Sequence, residues 1–147
     1  METRMILLVE DNPSDVDLAR RALDKKGVLN ELVVARDGQE ALDFLFGTGP
    51  YAGRDTAVQP ALVLLDLRLP KVDGLTVLGR VRADEGTRKI PVVILTTSDE
   101  DSDLDAAYSL GANSFIRKPI DFERFAEALS QIGMYWLVLN EPPPLNR

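Results

Sequence analysis

The sequence predicts an α/β fold in which a parallel β-sheet is covered by helices on both faces. Five short runs of branched apolar residues alternate with segments whose apolar residues recur at helical spacing. Most of these runs are continuous and do not alternate with polar residues, as is typical of strands that are buried on both faces. The chain has 147 residues, which suits one domain of ordinary size.

The first two strands are separated by a helix with a clear start. The predicted strands are residues 5–9 (MILLV) and 31–36 (ELVVAR). Between them we expect Asn12 to cap a helix that begins at Pro13, because an asparagine side chain accepts free N–H groups of the first turn and proline suits the first helical position. The apolar stripe of this helix consists of Val16, Ala19 and Leu23.

The middle of the chain continues the alternation after one long connection. A helix is predicted over residues 37–46, with Asp37 as its cap. The polar, glycine-rich segment 47–59 is longer than most connections in compact domains, and we interpret it as a surface insertion, with a contact to a partner as the alternative. The third strand is residues 61–65 (ALVLL), and a helix over residues 74–84 follows.

The last third of the chain completes the predicted sheet. Residues 91–95 (PVVIL) form the fourth strand, and residues 99–110 form a helix. Residues 113–118 contain a short fifth strand, and another helix follows it. The pattern therefore predicts five strands that alternate with five helices in one domain.

The end of the chain is predicted to extend beyond this domain. The last helix begins at Asp121, and its apolar spacing continues to Trp136. We expect residues 1–133 to form the domain and residues 134–147 to form a C-terminal extension. An apolar run at the junction is interpreted as an interface, in the simplest case that of a homodimer, and the alternative is a longer helix that packs on the core. The expected contact residues are Tyr135, Trp136 and Leu137.

The composition excludes several kinds of chemistry. The chain has no cysteine and no histidine, which rules out disulfides, thiolate or imidazole metal ligands and serine–histidine catalysis. The net charge of −7 disfavours nucleic acid, which binds basic patches. No apolar run approaches the ~20 residues of a membrane helix, and the N-terminus lacks a signal peptide. We therefore expect a cytoplasmic protein that binds neither nucleic acid nor membranes.

Polar side chains follow the predicted strands at the points where those strands end. Glu10 and Asp11 follow the first strand, Asp66 the third and Thr96 the fourth, while Lys118 ends the fifth. The carboxyl ends of parallel strands meet at one edge of the sheet, where α/β proteins build their sites. We therefore expect these side chains to converge in one polar cleft.

This set of side chains predicts a phosphoryl-binding site. Three carboxylates held together repel one another, and a hard cation such as Mg²⁺, which prefers oxygen ligands, relieves that repulsion. Lys118 adds a positive charge, and a hydroxyl can bind one oxygen of an incoming anion. Strand alternation lets only one of Thr96 and Thr97 face the cleft, and we favour Thr96. The chemistry expected is a covalent phosphoryl adduct on a carboxylate.

Four segments resemble, in order and spacing, the receiver domains of two-component response regulators. They are LLVEDNPSDV, LLDLRLPKVDG, VVILTTS and FIRKP, and the resemblance spans roughly residues 5–132. It implies a flavodoxin-like, doubly wound, five-stranded parallel sheet of strand order 2-1-3-4-5 with five helices. It also implies a chain that accepts a phosphoryl group from a partner histidine kinase, and that assists only its own phosphorylation and dephosphorylation.

The resemblance implies which residues hold the phosphoryl group and the metal. Asp66 corresponds to the phosphoacceptor. Glu10 and Asp11 correspond to the acidic pair that holds Mg²⁺ together with Asp66, and the backbone carbonyl of Arg68 is a further ligand.

The resemblance also implies a conformational switch. Thr96 and Lys118 correspond to the residues that contact the phosphoryl group, and Phe115 to the aromatic residue that turns inward on activation. Phosphorylation then reshapes the face made by the fourth helix, the fifth strand and the fifth helix. The bond between Lys118 and Pro119 is expected to be cis.

A narrower resemblance is to the single-domain regulators that are paired with cyanobacterial and bacterial phytochromes. It rests on NPSDVDL, on ALDFLFG with the long loop that follows it, on LTTS and on a last helix that runs into YWL. It implies a phytochrome-type kinase as the partner and a dimer formed with the help of the C-terminal extension.

Two other functions stay open at this point. One is an adaptor that keeps the receiver fold and acts without phosphorylation. The other is a magnesium-dependent phosphohydrolase that forms an aspartyl phosphate. Such hydrolases usually place a second acid two residues after the nucleophile, where this chain has Arg68.

Overall fold

A computed structural model describes residues 4–25, 30–97, 100–118, 121 and 123–125 of the chain. Strands and helices alternate as the sequence predicts. They are β1 (Arg4–Val9), α1 (Pro13–Lys25), β2 (Asn30–Ala35), α2 (Gly38–Phe46), a single 3₁₀ turn (Gly49–Tyr51), β3 (Leu62–Leu65), α3 (Gly74–Ala83), β4 (Val92–Thr96), α4 (Asp101–Ser109) and β5 (Ser114–Arg117). The predicted last helix lies largely outside the described residues, and so does the C-terminal extension.

The five strands form one parallel sheet in the order β2-β1-β3-β4-β5, which confirms the predicted order 2-1-3-4-5. The sheet hydrogen bonds continue one residue past three of the strands. Glu10 N–H donates to the Ala35 carbonyl at 2.9 Å, and Asp66 N–H donates to the Val9 carbonyl at 3.1 Å. Lys118 N–H likewise donates to the Thr96 carbonyl at 2.9 Å. The backbones of Glu10, Asp66 and Lys118 are therefore fixed by the sheet itself.

The core consists of two layers, one on each face of the sheet. Alternate residues of β1 and β3, such as Leu7 and Val63, pack with α2 and α3 on one face. Their neighbours in the strands pack on the other face against α1, whose predicted stripe of Val16, Ala19 and Leu23 is buried. Each fully buried aliphatic side chain contributes about 1.5–3 kcal/mol to folding, so the two layers together hold the strand ends in place.

The helix starts also agree with the sequence. Asn12 Oδ1 accepts the N–H groups of Ser14 at 2.8 Å and Asp15 at 3.4 Å, and α1 begins at Pro13. The Asp37 carboxylate accepts the Glu40 N–H at 2.7 Å and caps α2. These caps satisfy N–H groups that have no partner within the helix, which sets where each helix begins.

The segment 47–59 is an organised structure. Its centre is Arg54, whose guanidinium lies 4.1 Å from the centroid of the Phe44 ring and donates to the carbonyls of Phe44 and Val58. Tyr51 packs edge-on against the same ring, with the centroids 5.2 Å apart. The insertion is thus attached to α2 by packing on the Phe44 ring and by several hydrogen bonds, among them those from Arg54 to the Phe44 carbonyl and from Gln59 to the Leu45 carbonyl. Within the described residues, no helix has both the length and the apolar character needed to cross a membrane.

Candidate functional site

The predicted site forms at the carboxyl edge of the sheet around the ammonium group of Lys118. Its Nζ donates to Glu10 Oε1, to Asp66 Oδ2 at 2.9 Å and to Asp15 Oδ2 at 2.8 Å. The Lys118 side chain is 6% exposed. An ammonium group has three N–H donors, so these three carboxylates use all of them.

Burial shapes the charge of this cluster. It raises the pKa of Glu10 to about 7, against the lowering effect of the hydrogen bonds from Lys118 and from the Asn12 N–H. Burial also lowers the pKa of Lys118, but its hydrogen bonds to Asp15, Glu10 and Asp66 outweigh this effect and raise that pKa above its ordinary value. Lys118 is therefore protonated at neutral pH, and the ionisation of Glu10 depends on positive charge beside it.

Asp66 is held at the end of β3 with both carboxylate oxygens engaged. Oδ2 accepts from Lys118, and Oδ1 accepts the Arg68 N–H at 3.0 Å. Gly74, the first residue of α3, lies directly against this segment, since a Cβ built there would be 2.3 Å from the Asp66 carbonyl oxygen. Its N–H donates to the Leu67 carbonyl at 2.9 Å. The start of α3 thus supports the Asp66 loop, and only glycine fits at that contact.

Three acids of the site are suited to a divalent cation. Glu10, Asp11 and Asp66 each offer a carboxylate oxygen, and these oxygens all lie within 4.8 Å of one another. The donors are all oxygens, as hard cations require. Glu10 is buried and already accepts from Lys118 and from the Asn12 N–H at 3.1 Å, whereas Asp11 is exposed. The residues therefore fit a hard cation, with Asp11 as the exposed member of the set.

The two candidate hydroxyls differ in burial. Thr96, the last residue of β4, is fully buried, and Thr97 beside it is exposed. This agrees with the expectation that alternation separates the two side chains. Phe115 on β5 is partly buried and packs against the core layer that contains α2 and α3. The roles of Thr96 and Phe115 in a switch stay predictions.

A cavity of about 550 Å³ opens beside the site, between the loop after β3 and the start of α4. Arg68, Glu100 and Asp103 line this cavity, and Arg68 Nη2 lies 3.2 Å from Asp103 Oδ2 and 3.9 Å from Glu100 Oε1. The cavity is also lined by Asp11, so the exposed member of the acidic cluster is reached from this side.

Two groups of predicted site residues lie outside the part of the chain that the structure describes. Pro119 and the expected interface residues Tyr135, Trp136 and Leu137 lie outside the described residues. Conversely, sequence reasoning missed Asp15 as a partner of Lys118. The sequence feature that could have pointed to Asp15 is its position in the first turn of α1, because the start of this helix lies at the same edge of the sheet as the strand ends.

The fold and this site together define a class of protein. A parallel sheet of order 2-1-3-4-5, with an acidic cluster and a buried lysine at its carboxyl edge, is the arrangement of a flavodoxin-like receiver domain. The chain belongs to the response regulator receiver domain family, which matches residues 6–130. Members of this family accept a phosphoryl group from histidine kinases and bind a divalent metal.

Relatives of the chain cover nearly its whole length. It is 45% identical over 139 residues to the probable methanogenesis regulatory protein FilR2 of Methanothrix harundinacea, which covers 95% of this chain and 87% of that protein. It is 37% identical to response regulator Rcp1 of Synechocystis sp., over 91% of this chain and 89% of Rcp1.

Solved structures agree with this assignment. The bacteriophytochrome response regulator AtBRR superposes with a TM-score of 0.84 and 53% identity, over 96% of this chain and 100% of that one. The Mn²⁺-bound form of Rcp1 superposes with a TM-score of 0.77 and 34% identity, over 96% of this chain and 99% of that one.

Proposed function

We propose that Asp66 is the phosphoacceptor of this response regulator. The observation that carries the proposal is the bond from the buried Lys118 ammonium to Asp66 Oδ2 at 2.9 Å, beside the Glu10 and Asp11 carboxylates. A buried carboxylate that faces a fixed cation at the edge of a parallel sheet is positioned to receive an anionic group. The chain itself has no histidine, so the phosphohistidine donor belongs to a partner kinase.

The transfer exchanges one bond for another. An oxygen of the Asp66 carboxylate attacks phosphorus, and the new O–P bond forms as the P–N bond of the phosphohistidine breaks. The electron pair of the P–N bond returns to the kinase imidazole. Arg68 N–H holds Asp66 Oδ1 in a fixed orientation, while Lys118 places positive charge next to the oxygens of the arriving group.

Mg²⁺ is the proposed cofactor. Asp11, Asp66 and the backbone carbonyl of Arg68 are the proposed ligands, with Glu10 behind them. When bound, the ion supplies charge neutralisation for the transferring phosphoryl group. The support for this is the oxygen-only donor set on this chain and the Mn²⁺-bound form of the relative Rcp1.

The proposed partner is a phytochrome-type histidine kinase. The similarity to the bacteriophytochrome response regulator AtBRR, at 53% identity over all of that chain, supports this partner. The kinase uses ATP, so the proposal puts the phosphoryl transfer in the cytoplasm.

Residues 1–133 are the proposed receiver domain, and residues 134–147 are proposed to help form a homodimer. In this proposal the protein catalyses only its own phosphorylation and dephosphorylation.

The exposed position two residues after Asp66 argues against the hydrolase alternative. Arg68 stands there, and its guanidinium is 3.2 Å from the Asp103 carboxylate. A guanidinium stays protonated and cannot act as a general acid and base near neutral pH. Phosphate release from a small phosphomonoester should therefore be at the background rate.

The proposal is tested by intact mass after incubation with Mg²⁺ and acetyl phosphate. We expect wild type to gain one phosphoryl group and Asp66→Asn to gain none. Asp73→Asn is the matched control, because Asp73 caps α3 by accepting the Thr76 N–H at 2.8 Å and asparagine also caps well.

The outcomes separate the alternatives. If wild type gains no phosphoryl group, the phosphoacceptor role of Asp66 is overturned and an adaptor that acts without phosphorylation is favoured. A label that persists in Asp66→Asn would move the acceptor to another residue. Size-exclusion chromatography of the same samples, with and without beryllofluoride, reports whether a dimer exists and whether phosphorylation changes it.

A further inference from the structure

Asp15 differs from every predicted member of the site. It lies in the first turn of α1 and does not follow a strand, and it is not part of the acidic cluster of Glu10, Asp11 and Asp66. Its Oδ2 is nevertheless 2.8 Å from Lys118 Nζ, as close as Asp66 Oδ2 at 2.9 Å. The Asp15 side chain is 23% exposed, so it forms the outer wall of the Lys118 site.

The count of donors makes this contact consequential. Lys118 has three N–H groups, and in the resting protein all three are used by Glu10, Asp15 and Asp66. Lys118 can donate to a phosphoryl oxygen only by giving up one acceptor. Asp66 is the acceptor that weakens, because its carboxylate loses its negative charge when an oxygen bonds to phosphorus. The other two acceptors then hold the ammonium group while one N–H turns to the phosphoryl group.

Those two remaining acceptors belong to residues that are both bonded to Asn12, through the Glu10 carboxylate and through the Asp15 backbone. Asn12 N–H donates to Glu10 Oε2 at 3.1 Å, and Asn12 Oδ1 accepts the N–H groups of Ser14 and Asp15. Glu10 and Asp15 are therefore joined through one short segment, whereas Asp66 lies on a different strand. This segment forms a two-point holder for Lys118 that does not depend on Asp66.

We infer that Asp15 is a positioning residue that holds the Lys118 ammonium at the site while Asp66 changes from a carboxylate to an acyl phosphate. The contact between Asp15 and Lys118 is a property of the resting protein, and its effect on the rate of phosphorylation rests on the proposed function.

A purely local role for Asp15 makes a different prediction. An acid in the first turn also stabilises a helix through the helix dipole, typically without contacting a distant residue. Asp15 contacts a residue 103 positions away in the chain. Asp17 on the same helix provides the control, since it is exposed and its ion pair within the described residues is a local one with Arg21 at 3.0 Å. Loss of Asp17 removes the same charge from α1 and leaves Lys118 untouched.

The first measurement is NMR of the lysine ζ-ammonium groups in the full chain labelled with ¹⁵N-lysine. We expect wild type to show a slowly exchanging ammonium signal, assigned to Lys118 by its absence in Lys118→Met. The signal should be lost or exchange much faster in Asp15→Ala, persist in Asp17→Ala, and be partly retained in Asp15→Asn, which keeps an acceptor oxygen. A Lys118 signal unchanged in Asp15→Ala would overturn the inference.

The second measurement is the initial rate of phosphorylation against the concentration of acetyl phosphate at saturating Mg²⁺. Asp15→Ala removes one of the hydrogen bonds that position Lys118. We expect its maximal rate to be about tenfold lower than that of wild type and its half-saturating concentration of acetyl phosphate to be unchanged. Asp17→Ala should behave as wild type. A maximal rate higher than that of wild type would show that Asp15 competes with the phosphoryl group for Lys118. An equal rate would show that Asp15 has no effect on the transfer, and either result would overturn the inference.

The two measurements keep the two claims apart. If wild type does not take up phosphate, the proposed function fails while the NMR signal still decides whether Asp15 holds Lys118. A melting temperature lowered in Asp15→Ala with the Lys118 signal intact would assign Asp15 to the stability of α1 alone and overturn the inference.

Discussion

The two edges of the sheet each hold a cation, and they differ in what surrounds it. At the carboxyl edge, Lys118 is bonded to three carboxylates. At the amino edge, Arg82 of α3 donates to the carbonyls of Arg88, Ile90 and Gly111 and to the Asn113 side chain, at 2.6–2.9 Å. Arg82 thus joins the segments that lead into β4 and β5, and its partners in the described part of the chain are neutral oxygens.

The difference lies in charge balance. The five N–H groups of Arg82 make five hydrogen bonds to neutral oxygens, so the guanidinium is saturated and holds one partly buried positive charge. Burial lowers the pKa of Arg82. The Lys118 cluster is also saturated in hydrogen bonds, but three acids surround one cation. Saturation by carbonyls is typical of a structural connection, whereas excess negative charge around a fixed cation favours a further cation and an exchange of partners.

Removal of Lys118 should give the largest functional effect. We expect Lys118→Met to slow phosphorylation of Asp66 by acetyl phosphate by about 100-fold, because one fixed charge at the developing oxygens is typically worth that much. Arg82→Met, scaled to the folded fraction, should phosphorylate like wild type. Intact mass against time measures both. Equal losses in the two variants would contradict the distinction between the two clusters.

Removal of Arg82 should give the larger effect on stability. Arg82→Met removes the guanidinium donor from the carbonyls of Arg88, Ile90 and Gly111, most of which are partly buried, and we expect the free energy of unfolding to fall by about 3 kcal/mol. Arg82→Lys should recover little of this, because an ammonium lacks the planar fork of a guanidinium. Urea unfolding followed by circular dichroism measures the change. A loss below about 1 kcal/mol would show that Arg82 is not a structural connection.

A divalent cation should stabilise one edge only. At a Mg²⁺ concentration ten times its dissociation constant, we expect the free energy of unfolding to rise by about 1.4 kcal/mol. Asp11→Asn should abolish most of this gain, and Arg82→Lys should keep it. Thermal melts with and without Mg²⁺ provide the comparison. A gain of the same size in Asp11→Asn would place the cation elsewhere.

A third cation gives the smallest expected effect. Arg68 pairs with Asp103 and Glu100, but its side chain is 58% exposed. Exposed ion pairs contribute about 0–1 kcal/mol, so Arg68→Gln should change the free energy of unfolding by less than about 1 kcal/mol. The test is the same urea titration that is used for Arg82. A loss near that of Arg82→Met would mean that exposure is a poor guide to these clusters.

Local patterns were sufficient for the strands and for three members of the site, whereas the strand order was predicted from the resemblance to receiver domains. Continuous apolar runs identified the strands, and the residue after each run identified Glu10, Asp66 and Lys118, because the ends of parallel strands share an edge. The caps at Asn12 and Asp37 were also predicted from local chemistry and are confirmed. These features depend on a few neighbouring residues, so a linear pattern contains them.

Other features depend on distances between elements that are remote in the chain. Asp15 meets Lys118 because of how α1 packs on the sheet, and Arg82 meets Gly111 because α3 ends beside the loop before β5. The sequence pattern marks both residues only as polar helix positions. The reach of a long side chain and the placement of its helix together decide such contacts. Hydrophobic spacing predicts which face of a helix is buried, but it carries no information about which distant charge that helix will meet.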